Sequence, residues 1–60
     1  MADTTAIYIV TACTPEDGRV VYETPFFETA RRIHSNLMQR QLDPNDFTHD
    51  VRVETVWRPN

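Results

Sequence analysis

The segment from Thr24 to Leu42 constrains the fold most, because it combines helix boundaries with a one-sided apolar pattern. The Thr24 hydroxyl can cap a helix, and Pro25 suits the first helical position, where a backbone N–H is not needed. Pro44 disfavours the α conformation of Asp43, so the helix is expected to end at Leu42. At about 100° per residue, one side of this helix is apolar. Its apolar residues are Phe26, Phe27, Ala30, Ile33, Leu37 and Met38.

Three segments have the composition of β-strands. Thr5–Cys13 is rich in β-branched and aromatic residues and apolar on both faces, which is typical of a central strand. A turn follows over Thr14–Gly18, where Asp17-Gly18 favours a short hairpin. Arg19–Glu23 is expected to pair back on the first strand. Val51–Trp57 alternates between apolar and polar residues and is expected to be half-buried.

The order of these elements predicts the fold class. A right-handed crossover from the second strand places the third strand on the far side of the first. We therefore expect an α+β fold of β-β-α-β topology, with a three-stranded antiparallel sheet of order 2-1-3 and one helix packed on one face. The 60 residues make one small domain, 1–60. A domain of this size buries only about 60% of the surface of its unfolded chain, so its core is marginal.

The single helix leaves one apolar face of the sheet without a cover. If Ile7 and Ile9 face the helix, Tyr8 and Val10 lie on the other side. We expect that open face to be a protein interface, in a symmetric dimer or with a larger protein. The expected interface residues are Tyr8, Val10, Arg19, Val21, Arg52, Glu54 and Val56. Two alternatives stay open: the opposite assignment, which exposes Ile7 and Ile9, and a monomer with an apolar surface.

The residue types suited to catalysis or metal binding do not form a complete set. Cys13 and His34 suggest a nucleophile and a base, but a third orienting group and an oxyanion hole are missing. The loop from Asp43 to Asp50 is acidic, yet Phe47 and Thr48 occupy positions where an EF-hand needs a ligand and a glycine. We expect no catalytic residues, metal or cofactor, and the roles of Cys13, His34 and His49 stay open.

Nucleic-acid binding is the second hypothesis. Nine acidic residues against six arginines give a net charge of −3, which argues mildly against a sequence-independent nucleic-acid binder. Arg19, Arg52 and Arg58 could still gather on the open face beside Tyr8 and bind stacked bases. Glu23 and Glu54 alternate with them and weaken the positive field.

The first hypothesis is a non-enzymatic protein-binding or regulatory module. Its size and charge suit an adaptor or inhibitor of the type that phages and mobile elements carry, with itself or a larger protein as partner. The N-terminus has neither a basic region nor an apolar run, and the chain has one cysteine. We therefore expect no signal peptide and a cytoplasmic location. The longest apolar run, Ala6–Val10, is too short to span a bilayer.

Overall fold

A computed structural model describes residues 3–59. Its elements are β1 (Thr4–Thr14), β2 (Gly18–Thr24), α1 (Phe27–Leu42) and β3 (His49–Pro59). The strands form one antiparallel sheet of order β2-β1-β3, with the helix on one face. The predicted α+β fold and β-β-α-β order are confirmed. Each strand extends one or two residues beyond its predicted ends, a usual difference at the ends of elements.

The helix covers the even-numbered side of β1. Val10 and Ala12 are fully buried and form the core with Ala30 and Leu37 of α1. It was therefore wrong to place Ile7 and Ile9 against the helix. It was equally wrong to place Tyr8 and Val10 on the open face. Both sides of β1 are apolar, so hydrophobicity did not distinguish them. The sides differ in the structure through the packing of Ala30 and Leu37 of α1 on Val10 and Ala12.

The faces of the two outer strands agree with the predicted alternation. Val20 of β2 and Val51 of β3 pack against the core under the helix. Val21 is paired with Thr11, and Val56 with Ile7, in the sheet register. Because paired residues share a face, Val21 and Val56 lie on the open side, as expected.

The helix begins two residues later than the sequence pattern predicted. Thr24 stays in β2, paired with Tyr8, and its hydroxyl accepts a hydrogen bond from the Phe26 backbone N–H at 3.1 Å. Phe26 is extended (φ −99°, ψ 115°) and precedes the first helical residue. The chain thus needs two residues to leave the sheet, and Thr24 closes that turn rather than capping the helix. The predicted end at Leu42 is confirmed.

A β-bulge in β3 sets the direction of two side chains. The register of β1 with β3 shifts between Thr11 and Cys13, so an extra β3 residue is accommodated there. Asp50 takes the left-handed conformation at this point, with φ +57°. Its carboxylate binds Arg19 and Arg52, whereas the next residue, Val51, packs into the core.

The molecule is long and thin, measuring 49 × 19 × 13 Å. Its radius of gyration is 13.2 Å, whereas a compact chain of this length has about 10 Å. Residues 4–7 of β1 and 56–59 of β3 form a two-stranded extension beyond Thr24, the last residue of β2. Trp57 lies on this extension and is 67% exposed. The described residues therefore bury only four apolar side chains.

Candidate protein interface

The open face is the side of the sheet that points away from α1. The strand alternation puts Ile7, Ile9, Thr11 and Cys13 of β1 on it. None of these four is fully buried. Ile7 and Ile9 lie beside Val21 and Val56 of the neighbouring strands. These four residues form the apolar strip of the open face.

One ion pair lies across the apolar strip, and a second group of charges lies beyond one of its ends. Arg58 of β3 donates to Glu23 of β2 at 2.6 Å. Arg58 is paired with Thr5, and Glu23 with Ile9, so this contact crosses β1 beside Ile7.

The second cluster lies at the bulge. The Asp50 carboxylate accepts hydrogen bonds from Arg19 at 2.9 Å and from Arg52 at 2.7 Å. These two guanidinium groups, Arg19 first, hold the pKa of Asp50 below its ordinary value. The bulge therefore places one carboxylate between arginines from the two outer strands.

The charges of the open face balance. Three arginines (Arg19, Arg52 and Arg58) stand against three carboxylates (Asp50, Glu23 and Glu54), which sums to zero. The whole chain carries −3. Within the described residues Glu54 forms no ion pair. Two copies that meet through this face would therefore not repel each other by net charge.

The predicted interface residues divide into two groups. Arg19, Val21, Arg52, Glu54 and Val56 lie on the open face. Tyr8 and Val10 do not lie there, which corrects the prediction: Val10 is fully buried, and the Tyr8 ring packs edge-on against Phe27, with centroids 5.6 Å apart.

Sequence reasoning placed three members of the open face elsewhere. Ile7 and Ile9 appeared only in the alternative assignment of β1. Asp50 was considered only as a member of the acidic loop, because nothing in the sequence signals a bulge at that point. Arg58 was expected on this face, but its ion pair with Glu23 was not, because the strand register creates that long-range contact.

Cys13 and His34 lie on opposite sides of the sheet. Cys13 is on the open face, paired with Arg19 and His49. His34 belongs to α1 and lines a groove with Tyr8, Phe27 and Val53. The nucleophile and base that the sequence suggested are therefore separated by the sheet.

The acidic loop uses its carboxylates to hold its own backbone. Asp43 accepts from the Asn45 N–H at 2.9 Å. Asp46 accepts from the hydroxyl of Thr48 at 2.6 Å and from Arg40 at 2.8 Å, and these bonds, with the Thr48 backbone N–H, lower the pKa of Asp46 to about 2. In residues 3–59, no three His, Cys, Asp or Glu side chains converge as a metal site.

The nucleic-acid hypothesis expected Arg19, Arg52 and Arg58 to gather on the open face beside Tyr8. The structure pairs Arg19, Arg52 and Arg58 with carboxylates. Tyr8 lies on the helix side, against Phe27. The three arginines therefore gather on the open face as expected, but the Tyr8 ring, on which bases were expected to stack, lies on the other side of the sheet.

No helix in the described part of the chain has both the length and the apolar character required to cross a membrane. Comparison with known proteins identifies no relative: no family model, no curated protein and no solved structure matches this chain.

Proposed function

We propose that this protein is a non-enzymatic protein-binding module that forms a symmetric dimer through the open face. The observation that carries the proposal is the apolar strip, which lies on a chain with only four buried apolar residues between positions 3 and 59. A small domain with so little core gains stability when a partner covers further apolar surface.

The dimensions of the sheet set the expected strength of the dimer. Three strands about 4.8 Å apart and a β1 length of about 36 Å give a face of roughly 500 Å². Two copies would bury about 1,000 Å², near the lower limit for specific interfaces. We therefore expect a dimer that dissociates on dilution.

Charge balance favours a second copy over a strongly charged partner. The open face offers three positive and three negative groups, so an identical face supplies both signs. A partner whose surface carries charges of one sign would bring like charges together along part of the contact, which is unfavourable. A two-fold axis through the face also sets the apolar strip of one copy against that of the other.

Two substitutions in β3 test the proposal as a matched pair. Val56 lies on the open face and Val53 on the helix side, where it is 51% exposed. Light scattering behind a sizing column should report twice the 7.0 kDa chain mass for the parent at about 100 µM, with dissociation on dilution.

Val56→Glu should reduce that mass to the monomer's, because it places a charge in the apolar strip, whereas Val53→Glu should leave the dimer intact. Circular dichroism checks that both variants fold. A parent that is monomeric at about 100 µM, or equal dissociation by both variants, contradicts the proposal.

The biological role that we propose is regulatory, as an adaptor or inhibitor of the type that phages and mobile elements carry, acting in the cytoplasm. The small size, the net charge of −3 and the single cysteine support this role. A dimer of small modules presents each of its remaining surfaces twice, which suits a protein that acts by binding.

A further inference from the structure

A second apolar surface lies on the helix side, between the first turns of α1 and β3. It is a groove of about 170 Å³, lined by Tyr8, Phe27, Ala30, Arg31, His34 and Val53. Phe27 forms one wall and is 58% exposed. Its ring is held edge-on by Tyr8, so the wall is fixed although it faces solvent.

The size of the groove fits one side chain. A protein cavity of about 150 Å³ lined by apolar residues accepts benzene. The groove is similar in volume and apolar along Tyr8, Phe27 and Val53. It therefore suits an aromatic ring or a branched aliphatic side chain better than an extended ligand.

The charges at its edge point to an acidic partner. Four of the six arginines, at positions 19, 40, 52 and 58, contact carboxylates at less than 3 Å. Within residues 3–59, the one ion pair of Arg31, which lines the groove, is with Glu28 at 3.8 Å, and both of these side chains are more than 70% exposed. Such an exposed pair contributes little, so the Arg31 guanidinium can bind a carboxylate supplied from outside.

We propose that this groove binds an acidic segment of a partner protein, which inserts one aromatic or branched aliphatic side chain and pairs a carboxylate with Arg31. The proposal rests on the protein-binding role proposed above, but not on the dimer, since the groove and the open face lie on opposite sides of the sheet. Burial of the inserted side chain supplies affinity, and the ion pair orients the segment.

The probe is an acetylated, amidated pentapeptide with one phenylalanine flanked on each side by two aspartates. It is titrated into ¹⁵N-labelled protein, and the amide shifts are followed to about 5 mM, which covers the weak affinity of a short peptide. We expect the signals of Phe27, Ala30, His34 and Val53 to move. A peptide with alanine for the phenylalanine should bind at least about tenfold more weakly, and one with asparagines for the aspartates about fivefold more weakly.

Adjacent arginines provide the matched control. Arg31→Gln and Arg32→Gln change the net charge equally, but Arg32 does not line the groove. The first should weaken binding by about fivefold, the upper end for an exposed ion pair, and the second by less than about twofold. The same titration on Val56→Glu should give the parent's affinity, which separates this test from that of the dimer.

Three results would overturn the groove proposal. They are no shift at the highest peptide concentration, equal weakening by the two arginine variants, and shifts centred on Ile7 and Val56 of the open face. A dimer that Phe27→Ala dissociates and Val56→Glu does not would assign the groove to a second copy instead.

Discussion

Asp46 shows how one side chain fixes the connection between α1 and β3. One carboxylate oxygen accepts from the backbone N–H and the hydroxyl of Thr48, and the other accepts from Arg40. Arg40 also pairs with Glu16 in the β1–β2 turn. The loop, the helix end and the hairpin are therefore joined through one arginine.

The pKa of Asp46 is lowered from 3.8 to about 2. Because the pKa of Asp46 is lower in the folded state than in the unfolded chain, the ionised carboxylate stabilises the fold. This stabilisation is complete above about pH 4. It is lost as pH falls from 3.8 toward 2. The pKa of Asp50 is also lowered, so its contribution to the stability of the fold is likewise lost as the pH falls.

Replacing Asp46 tests whether its carboxylate stabilises the fold in this pH-dependent way. Asp46→Asn should lower Tm at neutral pH and reduce the acid-side decline of Tm, because one of the depressed carboxyl groups is gone. Asp17→Asn is the control, since Asn-Gly favours the same hairpin turn as Asp-Gly. Thermal unfolding followed from pH 2 to 6 by circular dichroism measures both. Parallel profiles for the parent and Asp46→Asn would contradict this role.

At the scale of the elements, α1 is held by few contacts. Leu37 is 6% exposed and belongs to the core, whereas Leu42 ends the helix at 76% exposed. The same substitution at these two positions therefore compares a buried and a solvent-facing leucine in one helix.

Leu37→Ala should lower the free energy of unfolding by about 2–5 kcal/mol, because it removes apolar burial and leaves a cavity. Leu42→Ala should change it by less than about 0.5 kcal/mol. A chain of this length has about 3–9 kcal/mol in total, so the first variant is expected to be largely unfolded at 37 °C. Urea denaturation gives both values, and equal losses would mean that Leu42 carries as much of the packing as Leu37.

The sequence predicted those elements whose two faces differ. In β3, Arg52 and Glu54 alternate with Val51 and Val53, so one side was assigned to the face away from the helix, as the structure has it. In β1 both sides are apolar, and only the packing of the helix on Ala12 distinguishes them. The start of α1 was also missed, because the turn out of the sheet depends on Thr24 remaining paired with Tyr8.

At the scale of the whole molecule, element lengths explain why so much apolar surface stays exposed. The helix has 16 residues and β3 has 11, which correspond to about 24 Å and about 36 Å. The first turn of the helix lies against Tyr8 through Phe27, so the extension that carries Trp57 lies beyond the N-terminal end of the helix. The alternation of β3 placed Trp57 on the side of the sheet that faces the helix. It could not show that the helix does not extend as far as Trp57.

We propose that two copies of the chain meet through the open face. The most direct measurement is an isotope-filtered NOE experiment on a mixture of labelled and unlabelled protein at about 100 µM or above, where a weak dimer is populated. We predict intermolecular contacts among the methyl groups of Ile7, Ile9, Val21 and Val56. A monomer without intermolecular contacts, or contacts that involve Phe27 and Trp57 instead of the apolar strip, would contradict the claim.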